Sequence, residues 1–487
     1  MDSRNGACER GLSPRRLYDT HERARAVILT CTLTPALSHE ERGRTLGRMD
    51  GDMSNLLIRN GRVIDPSQGI DKTADVLIEN GRIAAIGGGL TAARGSTIDA
   101  MGQIVCPGLI DMHVHLREPG NEDAETIASG SAAAVAGGFT SIACMPNTQP
   151  AVDNEAMVEF VLRQAARAGL CNVYPIGAIT KRREGKELAE MGQMVRAGAV
   201  GFSDDGAGVA DTTVMLRALQ YAKMFDKPLI QHCEDGSLAE GGCMNSGPTA
   251  LRLGLPGIPA MAEEMMIQRD LLIAANTQGR YHVAHISTAG AVQLVREGKR
   301  RKVSVTTEVC PHHLLLTDDC CDTYDTNYKM NPPLRSESDV EACIAGVVDG
   351  TIDCMVTDHA PHDRARKELD FQNAPFGIVG LEVALGLFVK ALVAPGHLDW
   401  SGLIQRMTTN PARILGLAKG TLQVGADADV TVIDPDRSWM VDLTEFRGLS
   451  RNCPYEGWEL TGRATHTIVG GRLVFALDSA VSGVQTA

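Results

Sequence analysis

The chain has 487 residues, with 47 Lys and Arg against 60 Asp and Glu, so its formal net charge at pH 7 is −13. Because the basic residues form no long patch, this balance argues against nucleic acid as the main partner. No apolar run reaches the roughly 18 residues that span a bilayer, which argues against a membrane protein. The thirteen cysteines include no CxxC pair, and free thiols in a reducing cytoplasm are the simplest interpretation.

The N-terminal segment, residues 1–53, differs from the rest of the chain. It carries many arginines, several Gly, Pro and Ser, and little periodicity. This composition predicts a disordered extension. Met53 opens the first well-patterned segment, which makes it a candidate for the true start of the protein.

Two predicted hairpins follow the extension. Short apolar strand patterns flank Asn60-Gly61 and, further on, Asn80-Gly81. Asn-Gly is the typical pair of a two-residue hairpin loop, so each pair predicts a turn between two short strands.

Strand patterns occupy residues 54–106 and return in residues 411–487. Two β-rich ends that bracket an α/β middle predict a small β-sandwich domain made from both chain ends. The middle, residues 107–410, is then one long insertion.

This middle alternates apolar runs with helix-like segments rich in Ala and Leu. Eight of the runs are strand-like: Leu109–Leu116, Thr140–Met145, Val173–Ile179, Val200–Asp204, Pro228–Cys233, Tyr281–Ile286, Val303–Val309 and Ile352–Val356. Eight β/α units with buried strands predict an α/β fold built on a (β/α)8 TIM-type barrel. A doubly wound sheet is less well supported, because no Gly-x-Gly-x-x-Gly follows an early strand.

The first of these strands carries a candidate metal site. His113 and His115 have the same parity, so both side chains lie on one side of the strand, about 6.5–7 Å apart. Two imidazoles placed in this way can bind one divalent metal. Arg117 follows with the same parity, where it could hold an anionic group of a substrate beside the metal.

The other strand ends supply matching side chains, as expected for a barrel in which chemistry gathers where strands end. They are Asn147, Asp204, Asp205, His232, His285 and Asp358. Imidazole and carboxylate without thiolate suit zinc or a similar divalent ion. Four His and two Asp exceed the three protein ligands that one catalytic zinc takes, so they suit two metals that share a bridging carboxylate.

Such a centre predicts hydrolysis of an amide, in either direction. A metal pair activates water as hydroxide and polarises the carbonyl that the hydroxide attacks. A carboxylate at the end of strand eight can then pass the proton to the leaving nitrogen.

Together these residues resemble the cyclic-amidohydrolase superfamily and, within it, the dihydroorotases that combine a barrel with a β-sandwich. The resemblance covers about residues 54–475, and it rests on four motifs: PGLIDMHVHLREPG at 107–120, MPNT at 145–148, DHAPH at 358–362 and APFG at 374–377. It implies a hydrolase of cyclic amide C–N bonds that interconverts N-carbamoyl-L-aspartate and (S)-dihydroorotate in pyrimidine (UMP) biosynthesis. It also implies one or two Zn²⁺ per subunit.

The resemblance implies a role for each site residue. The metal ligands would be His113, His115, Asp205, His232, His285 and Asp358, and Asp358 would also be the catalytic acid/base. The substrate-binding residues would be His115, Arg117, Asn147, Asn331, His362, Phe376 and Gly377. Asp205 is preferred to Asp204 as the bridging ligand because its spacing to His232 matches the aspartate-bridged branch of the family, and Asp204 stays open as the alternative.

Two other functions stay open. A dihydropyrimidinase, hydantoinase or allantoinase acts on rings without a carboxylate, and a site for them has less use for Arg117 and Asn147 together, because an unpaired buried Arg is costly. A non-catalytic partner that only scaffolds aspartate transcarbamoylase would not need all six ligand positions filled. The resemblance implies a homo-oligomer and leaves open an association with aspartate transcarbamoylase.

Overall fold

The computed structural model describes residues 55–92 and 95–477. The predictions for residues 1–53, including Met53 as a start, lie outside the described residues. Within the described ranges, no helix has both the length and the apolar character needed to cross a bilayer. The cysteines of these ranges are all unpaired.

Strands come first and last in this part of the chain. They are β1 (Leu56–Asp65), β2 (Ile70–Glu79), β3 (Arg82–Gly87), β4 (Ser96–Asp99), β5 (Ile104–Pro107), β6 (Leu109–Val114), β7 (Phe139–Cys144), β8 (Asn172–Pro175), β9 (Phe202–Ser203), β10 (Leu229–Gln231), β11 (Met244–Asn245), β12 (Gly257–Ile258), β13 (Tyr281–Val283), β14 (Val305–Val309), β15 (Cys354–Met355), β16 (Val430–Met440), β17 (Glu459–Val469) and β18 (Arg472–Ala476).

The helices lie between β6 and β16. They are α1 (Ile127–Ala136), α2 (Glu155–Ala168), α3 (Met191–Ala197), α4 (Thr212–Lys223), α5 (Gly236–Ala239), α6 (Pro248–Leu253), α7 (Ala260–Thr277), α8 (Ala289–Arg300), α9 (His312–Leu315), α10 (Glu337–Val348), α11 (Arg364–Lys367), α12 (Ala384–Phe388), α13 (Trp400–Met407) and α14 (Thr409–Leu415). Short 3-10 turns lie at Lys181–Arg183, Asp318–Thr323, Thr326–Tyr328 and Leu443–Glu445, and a π-helical turn lies at Val389–Val393.

Eight parallel strands form a closed barrel. Strands β6, β7 and β8 pair in that order, and β9, β10, β13, β14 and β15 pair in that order. A bridge from Gly177 to Phe202 joins the two groups, and a bridge from Val114 to His359 joins the first strand to the last. Each strand overlaps one of the eight apolar runs, so the predicted barrel is confirmed.

Strands from both chain ends form a second, eight-stranded sheet. Its order is β18-β17-β16-β5-β1-β2-β3, with β4 beside β1. The two ends meet where β5 runs antiparallel to β16, with Val105 opposite Val432. Both valines are fully buried in the apolar cluster of this sheet. The predicted fold class, a barrel with a β domain drawn from both chain ends, is confirmed.

Only one of the two predicted Asn-Gly turns is a turn. Asn80 and Gly81, with φ of 52° and 76°, connect β2 to β3 as a two-residue loop. Asn60 and Gly61 instead lie inside β1, where the register with β2 shifts between Ile58 and Gly61. That prediction is wrong because a β-bulge uses the same left-handed backbone, seen here as a φ of 63° at Asn60, without reversing the chain.

Apolar side chains from the barrel strands form a buried cluster that includes Ile230 and Val356. Side chains two residues apart on a strand point the same way. His232 and Asp358 therefore follow these two core residues on the same side, just beyond the ends of β10 and β15. This alternation places apolar packing within the barrel and polar groups at the strand ends.

Candidate metal centre and substrate pocket

The six predicted metal ligands all lie at the carboxyl ends of barrel strands. They are His113 in β6, His115 just after β6, Asp205 after β9, His232 after β10, His285 after β13 and Asp358 after β15. All six side chains are buried. The closed parallel barrel brings them to one place although they are spread over more than 240 residues of sequence.

The Asp205 carboxylate lies at the centre of this group. Its Oδ1 is 3.3 Å from Nε2 of His113, 3.7 Å from Nδ1 of His232 and 3.6 Å from Nε2 of His285. Its Oδ2 is 3.6 Å from Nε2 of His115. One carboxylate thus faces all four histidines, which is the arrangement that a bridging ligand requires.

Asp204, the alternative bridging residue, has other partners. It accepts hydrogen bonds from the backbone N–H groups of Ile179 (2.9 Å) and Thr180 (3.1 Å). It also accepts one from the hydroxyl of Thr180. These bonds hold the loop after β8, so the geometry favours Asp205 over Asp204 as the residue that faces the histidines.

Asp358 completes the group on the side of His115. Its Oδ1 is 2.9 Å from Nε2 of His115 and 3.5 Å from Nε2 of His113. Asp358 and His285 have φ of 47° and 28°, a backbone region that non-glycine residues rarely adopt. Such conformations concentrate at functional sites, where the surrounding structure holds them in place.

The residues present fit a divalent cation. His113, Asp205 and His285 place three ligand atoms within 4.8 Å of one another, and so do His113, His115 and Asp358. Within the described part of the chain, Nε2 of His113 and Oδ1 of Asp205 are buried without a hydrogen-bond partner. Buried polar atoms are rarely left unpaired, and a metal between these atoms would satisfy both.

The charges of these six side chains also favour a bound cation. Burial raises the pKa of Asp205, but His113 and its neighbours outweigh burial and hold that pKa well below its usual range. Burial lowers the pKa of His113, but Asp358, Glu308 and Asp205 raise it well above its usual range. Three buried carboxylates thus surround one imidazole, and this excess of negative charge is what a bound cation neutralises.

Glu308 belongs to the site although it was not among the predicted residues. It is fully buried, and its Oε1 is 2.5 Å from Nδ1 of His113. Its Oε2 is 3.1 Å from Nε2 of His282, whose Nδ1 is 2.7 Å from the hydroxyl of Thr306. A carboxylate behind a ligating histidine fixes its ring orientation and tautomer. The available signal was a lone carboxylate within the apolar run Val303–Val309.

We expect Glu308→Gln to weaken metal binding about 10- to 100-fold, because the amide cannot orient His113 or raise its basicity as the carboxylate does. The measurement is metal affinity, from competition with a chelator of known affinity. Glu297→Gln, on the exposed face of α8, is the control. Equal affinities in the two variants would show that Glu308 does not support His113.

Arg117 lies beside this centre. Its Nε donates to the backbone oxygen of Pro361 at 3.0 Å, and its Nη2 is 3.4 Å from Nε2 of His362. Burial lowers the pKa of Arg117 to about 10, so the guanidinium stays charged at neutral pH. Burial and the charge of Arg117 lower the pKa of His362 to about 2, which keeps that imidazole neutral. His362 Nε2 then donates to the backbone oxygen of Phe376 at 2.7 Å.

The two predicted asparagines both contact ligand histidines. Asn147 Oδ1 is 2.8 Å from Nδ1 of His115, and its Nδ2 donates to Asp205 at 3.2 Å. Asn331 Nδ2 is 3.3 Å from Nε2 of His232. The Oδ1 of Asn331 is buried and has no partner among the described residues, so it is free to accept a bond from a ring N–H.

Gly377 must be glycine. It has φ of 152°, and a Cβ there would lie 2.5 Å from the backbone oxygen of Ala360 and 2.7 Å from Cδ2 of His362. The Phe376 ring lies under Nζ of Lys329, 4.6 Å from the ring centroid. The structure thus brings all the predicted site residues together.

A (β/α)8 barrel with a buried His and Asp centre at its strand ends is the architecture of the metal-dependent amidohydrolases. Residues 386–475 match the model of the amidohydrolase family, and residues 102–291 match the model described as dihydro-orotase-like. The class defined by fold and site is therefore that of hydrolases acting on cyclic amides.

Curated relatives named dihydroorotase match most of the chain. The one from Pelotomaculum thermopropionicum is 54% identical over 419 residues, which cover 86% of this chain and 98% of the relative. The one from Syntrophus aciditrophicus is 49% identical over 425 residues, which cover 87% of this chain and 100% of the relative. The chain belongs to the dihydroorotase family.

Similar solved structures include hydantoinases. The L-hydantoinase (dihydropyrimidinase) from Arthrobacter aurescens has a TM-score of 0.76 at 27% identity, covering 86% of this chain and 96% of its own. A D-hydantoinase has a TM-score of 0.77 at 23% identity, covering 87% and 95%. At 23% identity, the second likeness is one of fold alone.

Proposed function

We propose that the protein is a cytoplasmic dihydroorotase that interconverts N-carbamoyl-L-aspartate and (S)-dihydroorotate in UMP biosynthesis. The observation that carries the proposal is the half-buried Arg117 beside the centre formed by Asp205 and Asp358. A ring that bears a carboxylate would pair with this guanidinium, and a ring without one would leave a buried charge with no anion. The neutral His362 lies next to this guanidinium.

We infer that the centre holds one or two zinc ions per subunit. The six ligands would be His113, His115, Asp205, His232, His285 and Asp358. Imidazole and carboxylate suit this ion, and Asp205, which faces all four histidines, would be the bridging residue. When bound, the metal would supply an activated water and polarise the ring carbonyl.

The side chains of the pocket divide the remaining work. Asp358, at hydrogen-bond distance from His115, would take a proton as general base and return it to the ring nitrogen as general acid. Arg117, His362 and Asn147 would hold the substrate carboxylate. Asn331 and the backbone at residues 376–377 would contact the ring.

Two further inferences concern organisation. We divide the chain into a barrel of residues 107–410 and a β domain of residues 54–106 and 411–487. The pairing of β5 with β16 supports this division. From the family resemblance we also expect a homo-oligomer, and an association with aspartate transcarbamoylase is a partner hypothesis to test by co-purification.

The testing experiment offers dihydroorotate, dihydrouracil, hydantoin and allantoin separately to metal-replete protein, with bound metal counted on the same sample. We expect turnover of dihydroorotate alone, its loss on treatment with a chelator, and its return with Zn²⁺. Turnover of the uncarboxylated rings would favour the second candidate, a hydantoinase-type activity. The observation behind this candidate is the similarity of the fold to that of the L-hydantoinase from Arthrobacter aurescens. A metal-loaded protein that turns over none of them would favour a scaffold role.

A further inference from the structure

A second arginine, Arg183, lies beside the pocket and has no part in the reaction as described above. It ends the 3-10 turn Lys181–Arg183 after β8 and has φ of 58°. Its Nη2 donates to the backbone oxygen of Asp205, which places the guanidinium next to the metal centre. Its Nε is buried and has no hydrogen-bond partner among the described residues. A buried charged donor without a partner is costly, so a ligand is expected to meet it.

Arg183 borders the same space as Asn147. Gly206 has φ of 72°, and a Cβ there would lie 3.7 Å from Nη2 of Arg183 and 3.9 Å from Nδ2 of Asn147. Because Gly206 has no side chain, a gap stays open between the guanidinium and the amide. Asn147 contacts His115 and Asp205, so this gap adjoins the metal centre.

No carboxylate of the described residues pairs with the Nε of Arg183. Asp204 is near enough to Arg183 to interact, but its oxygens already accept bonds from Ile179 and Thr180.

We propose that Arg183 is a further substrate-binding residue, which acts with Arg117 on the carboxylate that N-carbamoyl-L-aspartate and dihydroorotate share. This inference rests on the proposed function. A carboxylate in the gap beside Gly206 accepts a bond from the unpaired Nε of Arg183, and bonds between a guanidinium and a carboxylate are strong. The site therefore selects rings that carry a carboxylate more strongly than Arg117 alone would do.

The test compares Arg183→Gln with Arg182→Gln. Arg182 is the adjacent arginine, also with φ near that of Arg183, but its side chain is exposed and pairs with Glu184 at 2.7 Å. We expect Arg183→Gln to raise KM for dihydroorotate about 10- to 100-fold, with kcat within about threefold and metal content unchanged. Arg182→Gln should change KM less than about twofold. Arg183→Lys should recover part of the affinity, because lysine keeps the positive charge but lacks the planar guanidinium that binds a carboxylate through two N–H groups.

Two outcomes would overturn the proposal. One is an unchanged KM in Arg183→Gln. The other is a fall in kcat with loss of metal at an unchanged KM, which would mean that the bond to Asp205 is purely structural. Circular dichroism establishes that each variant is folded.

Direct binding separates this proposal from the proposed function. Orotate, a planar ring that keeps the carboxylate, is titrated by calorimetry into metal-loaded wild type, Arg183→Gln and Arg182→Gln. If the wild type binds orotate more tightly than Arg183→Gln but does not turn over dihydroorotate, the proposed activity fails and the role of Arg183 stands. If the wild type binds no carboxylated ring, both are overturned.

Discussion

Replacing Asp358 with alanine or asparagine is expected to lower kcat for dihydroorotate about 1,000-fold or more, which is the upper range for the loss of a general acid/base. Asp358 lies 2.9 Å from Nε2 of His115 and 3.5 Å from Nε2 of His113, at the end of the last barrel strand. Asparagine keeps the shape of this side chain and can still donate or accept a hydrogen bond, but it cannot carry a proton from water to a ring nitrogen.

The measurement is kcat on samples whose bound metal has been counted, so that loss of metal and loss of proton transfer are told apart. Asp226→Asn is the matched control, because the Asp226 side chain is 87% exposed and its φ of 51° suits asparagine. A metal-replete Asp358→Asn enzyme that kept a tenth or more of the wild-type kcat would remove the acid/base role. If Asp358→Asn lost its metal and Asp226→Asn kept it, the fall in kcat would be explained by Asp358 acting as a metal ligand.

The barrel could be predicted because its strands are buried on both faces. Parallel strands covered by helices read as continuous apolar runs, and the eight runs between Leu109 and Val356 each contain one. The turn predicted at Asn60-Gly61 was wrong for a local reason. A bulge and a tight turn both need a left-handed residue, and only the pairing of β1 with β2 along its whole length distinguishes them.

The six candidate ligands could be selected from the sequence because they lie where strands end. His113 and His115 are two residues apart, so their side chains lie on the same side of the strand. The closed barrel then brings the ends of eight strands together. Glu308 could not be placed in this way, since it lies within β14 and meets His113 only across the barrel. The choice between Asp204 and Asp205 also required the structure, because the side chains of these adjacent residues contact different partners.

The proposed carboxylate-binding residues lie on loops, which sequence patterns predict less well. Arg117 has φ of 55° and turns back to donate to Pro361, which lies 244 residues further along the chain. Arg183 comes from the 3-10 turn after β8, a segment with no periodic pattern to indicate where its side chain points. Both arginines follow barrel strands, and the loops after the strands cover the same end of the barrel.

Replacing Arg117 with alanine is expected to lower kcat/KM for dihydroorotate about 100- to 1,000-fold while bound metal stays at the wild-type level. The guanidinium is half-buried and fixed by its bond to Pro361, and removing one member of a charged pair that the bound ring would cover costs several kcal/mol. Arg117→Lys should recover little, because an ammonium does not reproduce the planar fork that binds a carboxylate. Arg252→Ala, at an exposed pair with Asp322, is the control.

The same variant also tests selectivity. If Arg117 is the carboxylate ligand, Arg117→Ala should lose dihydroorotate turnover far more than any residual turnover of dihydrouracil, so the preference between the two rings should narrow by about the same factor as kcat/KM falls. Cyclisation of N-carbamoyl-L-aspartate at the wild-type rate in Arg117→Ala would show that the carboxylate binds elsewhere. An equal loss with both rings would instead mean that Arg117 supports the shape of the site, since only a direct contact distinguishes a ring with a carboxylate from one without it.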